Sequence, residues 1–260
     1  MIAKIQLITR GDDGGSSRSA NRALLQAVDE GVLRNVSLMV PGPAFADAAQ
    51  LFAGRDDICF GLHVTLSSEW NHPKWGPLLA SDKVPSLVEP DGSFTTAPNV
   101  LHDRGFSTEE ALLEVAAQLR IARESGLHIS YLDEHMGVSW IGLRESFADL
   151  ARREGLIDAF PIPSLPNERP PEMGLVEGLI EQLRHTPEGP YVFITHPMWD
   201  DEEAQSFCGS VSSPGAVARE RDLDRRALID PRLREFARDF GVHFARYDEI
   251  PAEKNPNEHI

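Results

Sequence analysis

Two periodicities alternate along this chain. Runs of strand length are rich in apolar and β-branched residues: AKIQLIT at 3–9, RNVSLMV at 34–40, DICFGLHVTL at 57–66, HISYLDEH at 128–135, AFPIPS at 159–164, PYVFITHP at 190–197 and VHFARYDEI at 242–250. Between them, apolar residues recur three and four apart over 16–31, 43–54, 107–126, 144–155, 173–185 and 219–241, which predicts helices. Ser at the start of the first helix and Gly31 at its end read as cap and stop. Ser107 followed by glutamates opens the third, and Pro231 marks a break within the last. Strands alternating with helices over short connections predict a parallel sheet covered by helices. About seven strands suit either a barrel just short of eight or a doubly wound open sheet.

The alternation fails between 67 and 106. That stretch carries Pro73, Pro77, Pro85, Pro90 and Pro98 and no long periodic segment. Loops of this length inside a domain are commonly functional, and Trp70 and Trp75 argue against plain disorder. No linker rich in Gly, Ser or Pro divides the chain, so residues 1–260 are expected to form one domain.

Composition narrows the partners. The net charge of -16 argues against nucleic acid and anionic membrane surfaces, but does not repel a neutral sugar. Cys59 and Cys208 are too few for a disulfide framework. The N-terminus lacks a signal-peptide-like apolar run, and no stretch of about eighteen apolar residues occurs, so the expected location is the cytoplasm.

The candidate chemistry gathers at the predicted strand ends, where parallel α/β folds bind ligands. The first strand runs into RGDDGG at 10–15, the third holds His63, the fourth ends in Asp133, Glu134 and His135, and the sixth ends in His196. A carboxylate with two imidazoles suits zinc or another divalent transition metal, and three protein ligands leave positions open for water and substrate. One of two adjacent aspartates can then bind the metal while the other accepts a proton. Each piece also has a plainer reading. DDGG can be a turn, His63 a structural strand residue, DEH a helix start and His196 a strand terminus. His72 and His102 lie in the irregular stretch, His128 and His185 near helix ends, His243 in the last strand and His259 in the tail. No GxSxG, P-loop or GxGxxG motif is present.

The ordered set resembles the YdjC-like carbohydrate deacetylases. The carrying segments are ITRGDDGGSSRSANRALLQAVDEGVLRNVSLMVPGPAFADAA, FGLHVTL, YLDEH, ITHP and RERDLD, which together span nearly the whole chain. The resemblance implies a TIM-like (β/α) barrel and one divalent metal, with zinc or magnesium foremost. It also implies hydrolysis of an N-acetyl group from an amino sugar. Its metal ligands fall on Asp13, His63 and His135, its general base on Asp12 and its general acid on His196. Where many members continue D-x-H-x-H, this chain has Gly137 and Ser139, a departure that bears on substrate identity more than on metal binding.

Within that reading, Arg219 or Arg221 is a candidate to orient Asp12, against the plainer role of an exposed charged helix. Trp70 and Trp75 are candidates to stack on sugar, or simply to pin the long loop. The alternatives are another metal-dependent amide or ester hydrolase, a non-catalytic carbohydrate-binding relative, and a purely structural site. The expected partner is a small carbohydrate, and a homo-oligomer is compatible with the sequence.

Overall fold

A Ser164–Val192 bridge brings the two ends of a curled parallel sheet together in the computed structural model, which describes residues 4–165, 173–209, 213 and 215–250. The strands are β1 (Ile5–Gly14), β2 (Asn35–Leu38), β3 (Cys59–Val64), β4 (Ile129–Glu134), β5 (Ile157–Asp158), β6 (Gly189–Thr195) and β7 (Val242–Ala245). Their order is β5-β4-β3-β2-β1-β6, and β7 pairs with the first half of β1 where β2 has not yet begun. Past β5, the Leu165 N–H donates to the Val192 carbonyl (2.7 Å) and the Val192 N–H to the Pro163 carbonyl (2.9 Å). The chain therefore lies along β6 and spans the seam of a TIM-like (β/α) half-barrel. The strand expected at 159–164 is displaced: regular pairing ends at Asp158, and only the far end of AFPIPS returns to the sheet.

The helices are α1 (Arg18–Asp29), α2 (Phe45–Leu51), α3 (Pro98–Arg104), α4 (Thr108–Glu124), α5 (Arg144–Glu154), α6 (Leu175–His185), α7 (Glu202–Gln205), α8 (Ala216–Leu228) and α9 (Pro231–Phe240). The Ser17 hydroxyl accepts from the Ala20 N–H and caps α1. Pro231 opens α9 as its first residue, so the break in the 219–241 pattern yields two helices. α3 was not expected. Pro98 starts it rather than interrupting it, because the first helical N–H needs no partner.

Apolar burial is split in two. The larger core lies between sheet and helices and includes Leu7, Leu24, Leu62, Phe147 and Leu228. A smaller cluster of Ile8, Cys59, Tyr131, Ala159, Val192, Ala245 and Tyr247 draws on most of the strands. It forms the barrel's inner floor. Further along the same faces of β1, β3 and β4 stand Arg10, His63 and Asp133, as strand alternation requires. One glycine makes room for the floor: a Cβ on Gly61 would fall 2.1 Å from the Tyr131 ring.

Candidate active site

The two aspartates occupy a β-bulge. Along β1 and β2, Gly11 pairs with Val36 and Gly14 with Leu38, so Asp12 and Asp13 together face Ser37. Asp13 takes a left-handed conformation (φ 62°), one that Asp tolerates better than most residues. The strand thus runs through the pair instead of stopping before it. In a regular strand neighbouring side chains point to opposite faces, and the bulge lets both carboxylates serve one site. Gly15 (φ 94°) follows, and its N–H donates to Asn21 Oδ1 (2.7 Å), which ties the bulge to α1.

Asp12 lies in the grip of Arg10, whose Nε and Nη2 donate to its two oxygens at 2.6 and 2.8 Å. Both residues are buried. Burial pushes the Asp12 carboxyl up, but the Arg10 charge, with help from His63, holds it below the usual range. Arg10 also reaches Tyr247 Oη (3.2 Å) and Asp133 Oδ2 (3.1 Å). Arg10 therefore does what Arg219 or Arg221 was expected to do. Arg221 from α8 instead pairs with Asp13 Oδ2 at 2.7 Å, while Arg219 is exposed on the same helix. The reach of Arg10 was hidden in the sequence, although its two-residue spacing to Asp12 is a usable signal.

Asp13 Oδ1 has no hydrogen-bond partner despite full burial. His63 Nε2 lies 3.5 Å from it and His135 Nδ1 3.2 Å. Each imidazole has a carboxylate on its other nitrogen. Register sets Asp133 opposite His63, and Asp133 Oδ2 lies 3.1 Å from His63 Nδ1. Glu69 Oε2 lies 2.9 Å from His135 Nε2. A carboxylate only accepts, so in the neutral rings the proton sits on those outer nitrogens. The inner nitrogens then turn bare lone pairs toward Asp13.

Four carboxylates (Asp12, Asp13, Asp133 and Glu69) meet two guanidiniums (Arg10 and Arg221), leaving two negative charges uncompensated. The imidazoles register that excess. Burial pushes His135 down, but Glu69 and Asp13 raise it to about 9, and Asp133 and Asp12 raise His63 well above its ordinary value. A divalent cation would satisfy both the charge and the orphan oxygen. Asp13, His63 and His135 can each offer one atom to such an ion, all within 4.8 Å of one another. Asp12, His63 and Asp133 form a second such group. That group fits less well, because Arg10 engages both oxygens of Asp12 and Asp133 occupies His63 Nδ1.

A cleft of about 350 Å³ opens beside this cluster and is lined by polar Asp12, His63 and His196 and by apolar Phe160, Ile162 and Ile194. His196 directly follows β6, and its backbone N–H donates to Asp224 Oδ2 of α8 (2.8 Å). Gly137 also lines the cleft, and Ser139 donates from its hydroxyl to Glu134 Oε1 (2.8 Å). Trp75 is buried, with its indole N–H donating to the Ser67 carbonyl (2.7 Å) and its ring 6.1 Å from His135. It is a wall for that imidazole and has no face free for sugar. Half-buried Trp70 lies beside Phe207, with the Arg221 guanidinium 5.8 Å from its ring. Of the remaining histidines, His102 is exposed on α3, and His259 lies outside the described residues.

The family model described as YdjC-like protein matches residues 6–170. A carbohydrate deacetylase from Thermoanaerobacter pseudethanolicus is 26% identical over 261 residues, covering 93% of this chain and 97% of that one. Carbohydrate deacetylase 2 from Listeria innocua is likewise 26% identical, over 95% and 99% of the two chains. A crystal structure from Enterococcus faecalis, described as a candidate cellobiose-phosphate cleavage protein, superposes with a TM-score of 0.80 at 19% identity. It covers 96% of this chain and 100% of that one.

Proposed function

The chain belongs to the YdjC-like protein family, and on that premise we propose that it is a divalent-metal-dependent carbohydrate N-deacetylase. The substrate is an amino sugar or short oligosaccharide, and the products are acetate and a free amine. The observation that carries this reading is the orphan Asp13 Oδ1 facing two imidazoles whose outer nitrogens are held by carboxylates. Carboxylate–histidine pairs of this kind orient metal ligands. Relatives named carbohydrate deacetylases, aligned along almost their full length, support the reaction class.

In this reading Asp13, His63 and His135 hold the ion. Bound there, a divalent metal supplies Lewis-acid polarisation of the acetyl carbonyl and a more acidic water. Arg10 keeps Asp12 ionised and aimed into the cleft, so that it accepts the proton of the attacking water. The Arg10 fork lowers the basicity of Asp12 while fixing its direction. His196, which lines the same cleft, protonates the departing amine, which is otherwise a poor leaving group. Arg221 holds Asp13 Oδ2 and leaves Oδ1 for the ion.

The test is acetate release from N,N'-diacetylchitobiose after chelation and after adding back zinc, magnesium, manganese or cobalt. Metal-dependent release is expected. Release that persists undiminished in the chelated protein removes the metal from the mechanism, and no release with any ion removes this substrate class.

A further inference from the structure

One exposed apolar side chain, Met136, lines the cleft, and a second, Trp140, lies on the same turn. Among the described residues, the large exposed hydrophobics are Val100, Leu113, Met136, Trp140 and Leu223. Met136 and Trp140 share the seven-residue turn His135–Ile141 that begins at the candidate ligand His135, and α3, which carries Val100, packs against that turn. Trp140 is 58% exposed, an unusual state for so large an apolar ring. It is also braced, because the His102 ring of α3 lies 5.6 Å away at a tilt of 37°.

The turn links this patch to the chemistry. Met136 and Gly137 line the same cleft as Asp12, His63 and His196. A Cβ built on Gly137 would meet nothing nearer than Trp140 Cδ1, at 3.9 Å. The indole thus neighbours Gly137, one of the residues that line the cleft. The left-handed backbone at Met136 and Gly137 (φ 55° and 68°) folds the turn tightly, so that Trp140, five residues from His135, comes back beside Gly137.

Resting on the deacetylase reading, we propose that Trp140 is the stacking platform for a second sugar ring. The enzyme's substrate would then be an oligosaccharide of at least two residues, with the reacting sugar in the cleft. A pyranose offers a face of C–H groups to an aromatic surface and keeps its hydroxyls in water. A rigid, partly exposed indole beside a polar cleft meets that demand at low entropic cost. A dry protein or lipid partner would want a broader apolar area than one indole flanked by Met136, Val100 and a histidine.

The experiment is calorimetric titration of the zinc-supplemented protein with N,N'-diacetylchitobiose and with N-acetylglucosamine, comparing wild type, Trp140→Ala, Trp140→Phe and Leu113→Ala. Trp140→Ala should weaken disaccharide binding by about three- to tenfold. It should leave monosaccharide binding unchanged, with Trp140→Phe in between and Leu113→Ala like wild type. Equal loss for both sugars, no loss for either, or a wild type that binds neither sugar overturns the platform. Acetate release is measured on the same samples. If release is absent with every metal while the disaccharide-specific loss persists, the platform stands and the catalytic reading fails.

Discussion

Glu69 and His135 meet at 2.9 Å, carboxylate to Nε2, although they come from different segments of the chain. Glu69 lies at the start of the long irregular stretch after β3, and His135 follows β4. The long irregular stretch is thus a support for the candidate metal centre, with Trp75 adding a wall behind the same imidazole.

Glu69→Gln is expected to weaken zinc binding by about ten- to a hundredfold, the usual effect of losing a carboxylate behind a ligating histidine. Competition against a chromogenic chelator measures it. Asp133→Asn should act likewise through His63, and unaltered zinc affinity in both variants would falsify the supporting role.

Arg10→Met should be both inactive and unstable. It strips the partner from a carboxylate that is 3% exposed, and breaking such a buried pair costs about 3–5 kcal/mol. The double variant Arg10→Met/Asp12→Asn should recover part of that stability, since the uncompensated Asp12 charge is gone. Urea unfolding of the three proteins reads the difference.

His196→Ala is expected to lower turnover by about a hundred- to ten-thousandfold, as for a lost general acid. Zinc content should stay at the wild-type level, because His196 is not among the three candidate ligands. Loss of zinc in this variant would move His196 from the acid role into the metal centre.

Gly61→Ala places a methyl group 2.1 Å from the Tyr131 ring. Tyr131 cannot easily give way, since it is fully buried and its hydroxyl is bonded to Ser37 Oγ (2.7 Å). Overpacking of this kind costs about 1–3 kcal/mol. A melting temperature equal to that of the wild type would show that the floor repacks freely.

The two thiols should differ in reactivity with pH. Burial pushes the Cys59 thiol up to about 11, with Ser130 pulling it back and the Asp248 charge adding to the rise. Its nucleophilic thiolate is therefore scarce at pH 8 and increases only as the pH rises toward 11. Half-buried Cys208 is accordingly the first site of alkylation in the native protein. Mass spectrometry after brief iodoacetamide treatment at pH 8 checks this, and preferential labelling of Cys59 contradicts it.

Local pattern was enough to determine most of the alternating elements, though not the fifth strand's place or α3, together with the long interruption and the gathering of Asp12, Asp13, His63, His135 and His196 at strand ends. Hydrophobic period and strand polarity are written in neighbouring residues, and a parallel sheet necessarily places its carboxyl ends together. Tertiary structure alone decided which groups pair. Arg10 rather than Arg219 clamps Asp12, Arg221 takes Asp13, Glu69 backs His135, and Trp75 turns inward while Trp140 stays in solvent. Those outcomes depend on a bulge, on register between strands and on the path of a loop without periodicity. Apart from the two-residue spacing of Arg10 and Asp12, such features arise from distant segments meeting, so no stretch of the chain read by itself contains them.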